Sequence, residues 1–259
     1  MKFAGTSVIL IAMAAASAQA QTFSFDDPVT LAPSQTPDAW YTDRYAPQVF
    51  DSQVMFGGDN RLQLGLRSAG QDGNRGSQDG SFYNYQGRKF DMPTGTEIGS
   101  SVSIDMFADS TWASGARAGM WTTMSNGNLT YPIIEFAVDG DNGDGGSFTG
   151  FRWWQSGIGW TEAVGMTADD QWYTMTISLT ASDVLFDITS VLSGSSIFSA
   201  SVDNLGAHAI DNVILQGHNQ GIAGEYDIYY DNFAINSVPT PGALALLSMG
   251  GIAAIRRRR

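Results

Sequence analysis

Apolar residues recur at every second position along most of this chain. Over residues 61–67, Leu62, Leu64 and Leu66 share one side; over 101–107, Val102, Ile104 and Met106 do the same. Residues 172–179 repeat the pattern with Tyr173, Met175, Ile177 and Leu179. A period of two means one dry face and one wet face, as in antiparallel sheets. Further strands are expected at 117–124, 133–138, 148–155, 184–188, 212–217 and 227–235. No part of the body carries a convincing helical period. Turn-forming clusters at 57–60, 70–80, 140–146, 193–196 and 218–224 punctuate the strands. Many short strands with Gly-rich turns, and no repeat, predict an all-β, antiparallel sandwich or barrel.

The two ends break this pattern. Met1-Lys2, an apolar run at 8–16 and Ala18-Gln19-Ala20 have the three regions of a signal peptide, 1–20, with cleavage before Gln21. At the other end, Val238-Pro239-Thr240-Pro241 precedes an uncharged, mostly apolar run at 242–255 and then Arg256, Arg257, Arg258 and Arg259. Pro239 and Pro241 stop regular structure from running in. As a helix the run reaches only ~21 Å against a hydrocarbon core of ~30 Å, short for a permanent span. The arginines should stay on the cytoplasmic side.

This three-part tail, 238–259, resembles the PEP-CTERM sorting signal of bacterial surface proteins, with Thr240 where the family name has Glu. The resemblance implies an exosortase as partner and transient membrane association through the tail helix. It also implies export to the cell surface, outer membrane or extracellular matrix of a Gram-negative-type bacterium. A plain C-terminal anchor is the other reading. The stretch between the ends, 21–237, is the length of one β domain.

Removing the ends sharpens the charge. The body keeps 8 basic residues against 26 acidic ones, a formal −18, so a phosphate backbone is repelled and nucleic acid is not an expected partner. With no cysteine there is no disulfide and no thiolate metal site. His208 and His218 are the only histidines. Both stand in loop-like surroundings, are expected at the surface, and do not suggest zinc.

Three segments carry a second resemblance: Gln171–Ile177, Asn212–Gly217, and Ile228-Tyr229-Tyr230-Asp231-Asn232-Phe233-Ala234-Ile235. Their order is similar to the second half of a concanavalin A-like jelly roll. The likeness implies a two-sheet β-sandwich with one concave sheet and a last strand that pairs near the first, here 22–25. Lectins, laminin-G modules and polysaccharide-active enzymes share that fold, and fold alone does not choose among them.

Alternation assigns faces. Met120, Met124, Ile134, Phe136, Phe151 and Trp153 point to the core, so Arg117, Trp121, Glu135, Arg152 and Trp154 point away, with Glu162 just beyond. If these strands are neighbours, Trp121, Glu135, Arg152 and Trp154 line one ligand-binding surface. Tryptophan faces stack on the C–H faces of sugars, while carboxylates and guanidinium groups take hydroxyls. The alternative is a capped core edge with a weak Arg152–Glu135 surface pair.

A glycosidase needs two carboxyl groups at set separations. Laminarinase-like jelly rolls carry Glu-x-Asp-x-Glu; here Ala137 replaces the middle Asp and Asp139 the second Glu. Residues four apart on a strand stand ~13 Å apart, so Glu135 would need Glu162 as its partner. Asp139, Asp141 and Asp144 sit in a Gly/Asp-rich loop with the composition of a Ca2+ site but not the EF-hand register; a solvated turn explains it equally. The jelly-roll resemblance implies a structural Ca2+ held by Asp26, Asp27 and Asp231. The expectation is therefore an exported, non-catalytic, glycan-binding surface protein. A hydrolase or lyase on the same fold and a purely structural surface protein are the alternatives.

Overall fold

The computed structural model describes residues 19–42, 44–70, 85–92, 96–125, 129–141, 147–219 and 224–237. The sorting segment and nearly all of the signal peptide lie outside these residues. No helix among the described residues is long and apolar enough to cross a membrane.

The described chain folds as a two-sheet antiparallel β-sandwich, a concanavalin A-like jelly roll. Its strands are β1 (Gln19–Phe23), β2 (Trp40–Tyr41), β3 (Val49–Phe56), β4 (Asp59–Leu66), β5 (Gln86–Asp91), β6 (Ser101–Ala108), β7 (Ala116–Ser125) and β8 (Leu129–Thr130). They continue as β9 (Ile133–Asp141), β10 (Ser147–Gln155), β11 (Gly159–Gly165), β12 (Gln171–Leu179), β13 (Asp183–Ser190), β14 (Ser195–Asp203), β15 (Ala209–Asn219) and β16 (Tyr226–Ser237). The first sheet runs β14-β13-β12-β6-β16-β4-β3, with β1 also on β16; the second runs β11-β10-β9-β7-β15-β5-β2, with β8 on β7.

Every strand expected from alternation is present, extended at one or both ends. The first strand differs from the expected 22–25: it starts at Gln19, ends at Phe23, and pairs with the last strand from Gln19↔Ser237 to Phe23↔Phe233. Strands β3 and β11 carry no clean alternation; both lie at sheet edges, where neither face is fully covered and the sequence is free to mix residue types. The edge strand β14 does alternate, with Phe198, Ala200 and Val202 packed against the core, but it starts inside the 193–196 cluster that reads as a turn. The turn at 57–60 is a two-residue hairpin between Phe56 and Asp59; Gly57 and Gly58 take φ of 64° and 89°, which glycine adopts without strain.

Between the sheets lies one apolar core. Leu62, Leu64, Leu66, Val102, Ile104, Met106, Met120, Ile134, Phe136, Phe151, Met175 and Ile177 are all fully buried in it. Each such side chain contributes about 1.5–3 kcal/mol over leaving it in water, which lets the domain do without disulfides. Two tyrosines of β16 cross this core. The Tyr226 hydroxyl donates to the carbonyls of Arg117 (2.7 Å) and His218 (2.8 Å), and accepts from the amides of the same residues. The Tyr230 hydroxyl reaches the carbonyls of Gly119 (3.0 Å) and Gln216 (2.9 Å). The first sheet thus pins the backbone of β7 and β15 from below at two successive residue pairs. Burial, first of all, raises the pKa of both phenols far above the ordinary range, so both remain neutral hydrogen-bonding struts.

Candidate functional site

Those two pairs form the middle of the outer face of the second sheet. Register sets Arg117 against His218, and Gly119 against both Gln216 and Glu135. Arg152 pairs with Glu135 on one side and Glu162 on the other, and Trp154 pairs with Trp160. All of these side chains point away from the core, as alternation requires of residues between Met120, Phe136, Phe151 and Leu215. The four residues expected to share a surface, Trp121, Glu135, Arg152 and Trp154, do share one.

That surface is more deeply covered than a shallow groove. Trp121 and Glu135 are 0% exposed and Arg152 is 1% exposed. Glu135 takes Arg152 Nε at 2.7 Å and Nη2 at 2.5 Å on one oxygen, and the Tyr85 hydroxyl at 2.7 Å on the other. The ion pair is therefore buried, not the weak surface pair of the alternative reading. Tyr85, just before β5, crosses the face with its ring 5.9 Å from Trp121 and 5.1 Å from His218. The Arg44 guanidinium lies 4.4 Å from the Trp121 ring centroid. A second, small apolar cluster of Tyr85, Trp121, Ile133 and Ile214 results, with Tyr131, Trp154 and Trp160 packed against it.

Trp154 and Trp160 remain partly open at the edge. The Arg152 guanidinium sits 4.1 Å from the Trp160 ring, and Glu162 is exposed beside them. Trp121 forms part of the floor, whereas Trp154 and Trp160 offer ring surface.

Charge on this face is tuned by burial. Burial lifts the Tyr85 phenol far above its ordinary value, and Glu135 beside it lifts it further, so Tyr85 stays a donor rather than a base. Burial works against the charge on Arg117, but Tyr85 and Glu135 outweigh it and hold the guanidinium charged. Arg152 engages Oε1 of Glu135 and Tyr85 engages Oε2, and Glu162 lies out at the exposed edge.

His218 departs from expectation. It is not in a loop at the surface but near the end of β15, 1% exposed. The strand was expected to end at Gly217, because the glycine and the turn-like residues after it mask one more alternation. Gly217 faces the core, where a Cβ would meet Ile228 Cδ1 at 2.5 Å and Leu66 Cδ1 at 2.6 Å; it is a packing glycine, not a turn. Gln216-Gly217-His218 therefore sends Gln216 and His218 outward together. Tyr85 and His218 were missed, and Gln216, though inside the expected strand 212–217, was not singled out; alternation carried through Gly217 would have found His218, and nothing local marks Tyr85.

Several of the expected calcium ligands have protein partners. Asp26 accepts from Ser24 (2.7 Å) and Asn60 (3.4 Å) on the exposed surface. Asp231 lies in β16, where Arg61 already supplies its cation. Asp139 accepts from Ser147 (3.3 Å) and Thr149 (3.2 Å). Asp144 and the side chain of Asp141 lie outside the described residues. Among the described residues no group of three or more His, Cys, Asp or Glu side chains is placed to hold a metal.

Neither a protein-family model nor a curated protein matches the chain. Solved structures do resemble it. A putative beta-glucanase from Mycobacterium abscessus is 13% identical, with 83% of this chain and 98% of that chain covered and a TM-score of 0.49. The catalytic domain of an endo-1,3-beta-glucanase (laminarinase) from Thermotoga petrophila is 12% identical, with 85% and 98% covered and a TM-score of 0.47. A pseudo beta-1,3-glucanase of Mycobacterium tuberculosis is 17% identical, with 84% and 98% covered and a TM-score of 0.44. Such distant likeness carries no activity over to this chain, and its function has to be read from its own side chains.

Proposed function

We propose that this is an exported surface protein whose single jelly-roll domain binds glycan, without cleaving it, on the outer face of the second sheet. The observation that carries the reading is the cross-strand pair Trp154↔Trp160, partly open, flanked by Arg152 and exposed Glu162. Apolar ring faces beside groups that take hydroxyls suit a sugar, which is apolar on its C–H faces and polar at its rim. Beneath them, the buried Glu135–Arg152–Tyr85 assembly keeps Arg152 in position under Trp160 and spends both Glu135 oxygens on structure. Export rests on the signal-peptide pattern of 1–20, and sorting on Pro239, Pro241 and the Arg256–Arg259 cluster.

Binding is tested with polysaccharides immobilised in a native gel. Retardation of the wild type should be reduced about two- to tenfold in Trp154→Ala and Trp160→Ala, each ring–sugar stack being comparable to an aromatic pair of roughly 0.5–1.5 kcal/mol. Equal retardation of all three proteins would remove this site. For sorting, deletion of 238–259 should shift the protein from the cell-surface fraction to the medium or periplasm; unchanged fractionation would count against the tail's role.

A further inference from the structure

The floor of this face holds polar groups that the protein itself does not satisfy. Gln216 is 0% exposed, and among the described residues neither its Oε1 nor its Nε2 has a hydrogen-bond partner. Its register neighbours are Gly87 on β5 and Gly119 on β7, so neither adjacent strand puts a side chain beside it. Arg117 Nε is likewise without a partner among the described residues. A buried polar atom left unmet costs about 1–3 kcal/mol, and native proteins keep few of them. Packing alone would be served better by leucine at position 216.

Basic residues outnumber acidic ones around Gln216. Lys89 and Arg117 lie on the flanking strands and Arg152 two strands further on, with Arg44 set over Trp121, against the buried Glu135 and the exposed Glu162 at the sheet edge. Asp91, at the far end of β5, is taken up by Tyr41 (2.6 Å) and Gln35 (2.8 Å). Half of the eight basic residues of a strongly acidic body are therefore gathered on this face.

We propose that this floor receives the anionic unit of an acidic polysaccharide: a sugar bearing a carboxylate or sulfate with a free hydroxyl nearby. The inference rests on the glycan-binding reading above and names the class of glycan. The Nε–H of Arg117 and the Nε2–H of Gln216 donate to the anionic oxygens, and Gln216 Oε1 accepts from the hydroxyl. The amide is unmet in both directions, so the ligand has to bring both an acceptor and a donor. Tyr85, its hydroxyl held by Glu135, bounds the floor on one side, and the anionic unit enters beside it, over Gln216 and Arg117, while Glu135 keeps both Tyr85 and Arg152. The acidic remainder of the body does not forbid a polyanion, because charges beyond ~8 Å are largely screened at physiological salt.

The full chain is titrated with polygalacturonate, carrageenan and laminarin, which carry carboxylate, sulfate and no charge respectively, using wild type, Gln216→Leu and Trp154→Ala. Wild type should bind at least one anionic polymer about tenfold or more tighter than laminarin, and the preferred polymer tells carboxylate from sulfate. Gln216→Leu should lose about tenfold for that polymer, keep its laminarin affinity, and melt no lower than wild type, since an unmet amide is replaced by an apolar group of similar size. Binding of laminarin alone, lost in Trp154→Ala, would overturn the acidic-glycan inference and leave the glycan reading standing. Anionic binding equal in wild type and Gln216→Leu would also overturn it, marking nonspecific attraction. No binding of any polymer would overturn both.

Discussion

Both sheets carry aromatic and charged residues on their outer faces, yet the two faces are built differently. On the first sheet, Phe56 stacks on Tyr229 at 3.8 Å, Phe107 lies 5.5 Å from Trp172, and Arg61 sits 5.0 Å from the Trp172 ring. The acids among them have partners: Asp105 accepts from Thr174 and from Asn232, and Asp231 from Arg61 and Asn232. On the second sheet Arg117, Glu135 and Arg152 are buried, Glu135 is tied twice over, and among the described residues the Gln216 amide has no hydrogen-bond partner. A partly solvated face can close its own polar network with water in reserve. A covered one that leaves donors and acceptors open keeps them at a cost, and that cost points to a ligand. Aromatic content alone would have ranked the two faces as equals.

Several substitutions separate the faces. The largest effect should come from Arg152→Ala, which strands a fully buried Glu135; breaking such a pair costs about 3–5 kcal/mol, read as a fall in unfolding free energy by chemical denaturation. A loss under 1 kcal/mol would mean that the floor is wetter than its burial indicates. Trp172→Ala, on the other face, removes two ring contacts and one cation–ring contact, together about 1.5–4 kcal/mol. It should leave polysaccharide retardation unchanged; lost retardation would move the binding surface to the first sheet.

The smallest effect is a pH dependence. Burial raises Asp231 to about 6, with the amide of Asn232 and Arg61 opposing and Asp105 and Asp59 reinforcing. A carboxyl group whose folded value exceeds its unfolded one binds its proton more tightly when folded. Its stabilising share is complete below the unfolded value near 4 and is lost as pH rises through about 6. The melting temperature of wild type relative to Asp231→Asn should therefore decline between pH 4 and pH 6; a rising difference would reverse the assignment.

The two-sheet architecture and the sides of the strands were legible beforehand because burial on one face imposes alternation, and alternation survives in any reading of Leu62-x-Leu64-x-Leu66 or Ile134-x-Phe136. The same logic found Trp121, Glu135, Arg152 and Trp154 on one surface. It stopped short at β15, where Gly217, a glycine serving close sheet packing, passes for the end of the strand and leaves His218 to the loop. It also failed at the edge strands β3 and β11, whose residues answer to solvent on at least one side.

By itself, then, the order of residues determined which side chains stand on the wet side of each strand, because that depends only on the two-residue repeat of an extended chain. It also determined the charge of the body and the character of the two ends. Which wet sides would be covered again was decided only by folding. Tyr85 and Arg44 reach the second sheet from segments distant in sequence, and Tyr226 and Tyr230 brace its backbone from the opposite sheet. Contacts between remote segments leave no periodic trace along a chain, so the buried, unmet Gln216 became visible only in three dimensions.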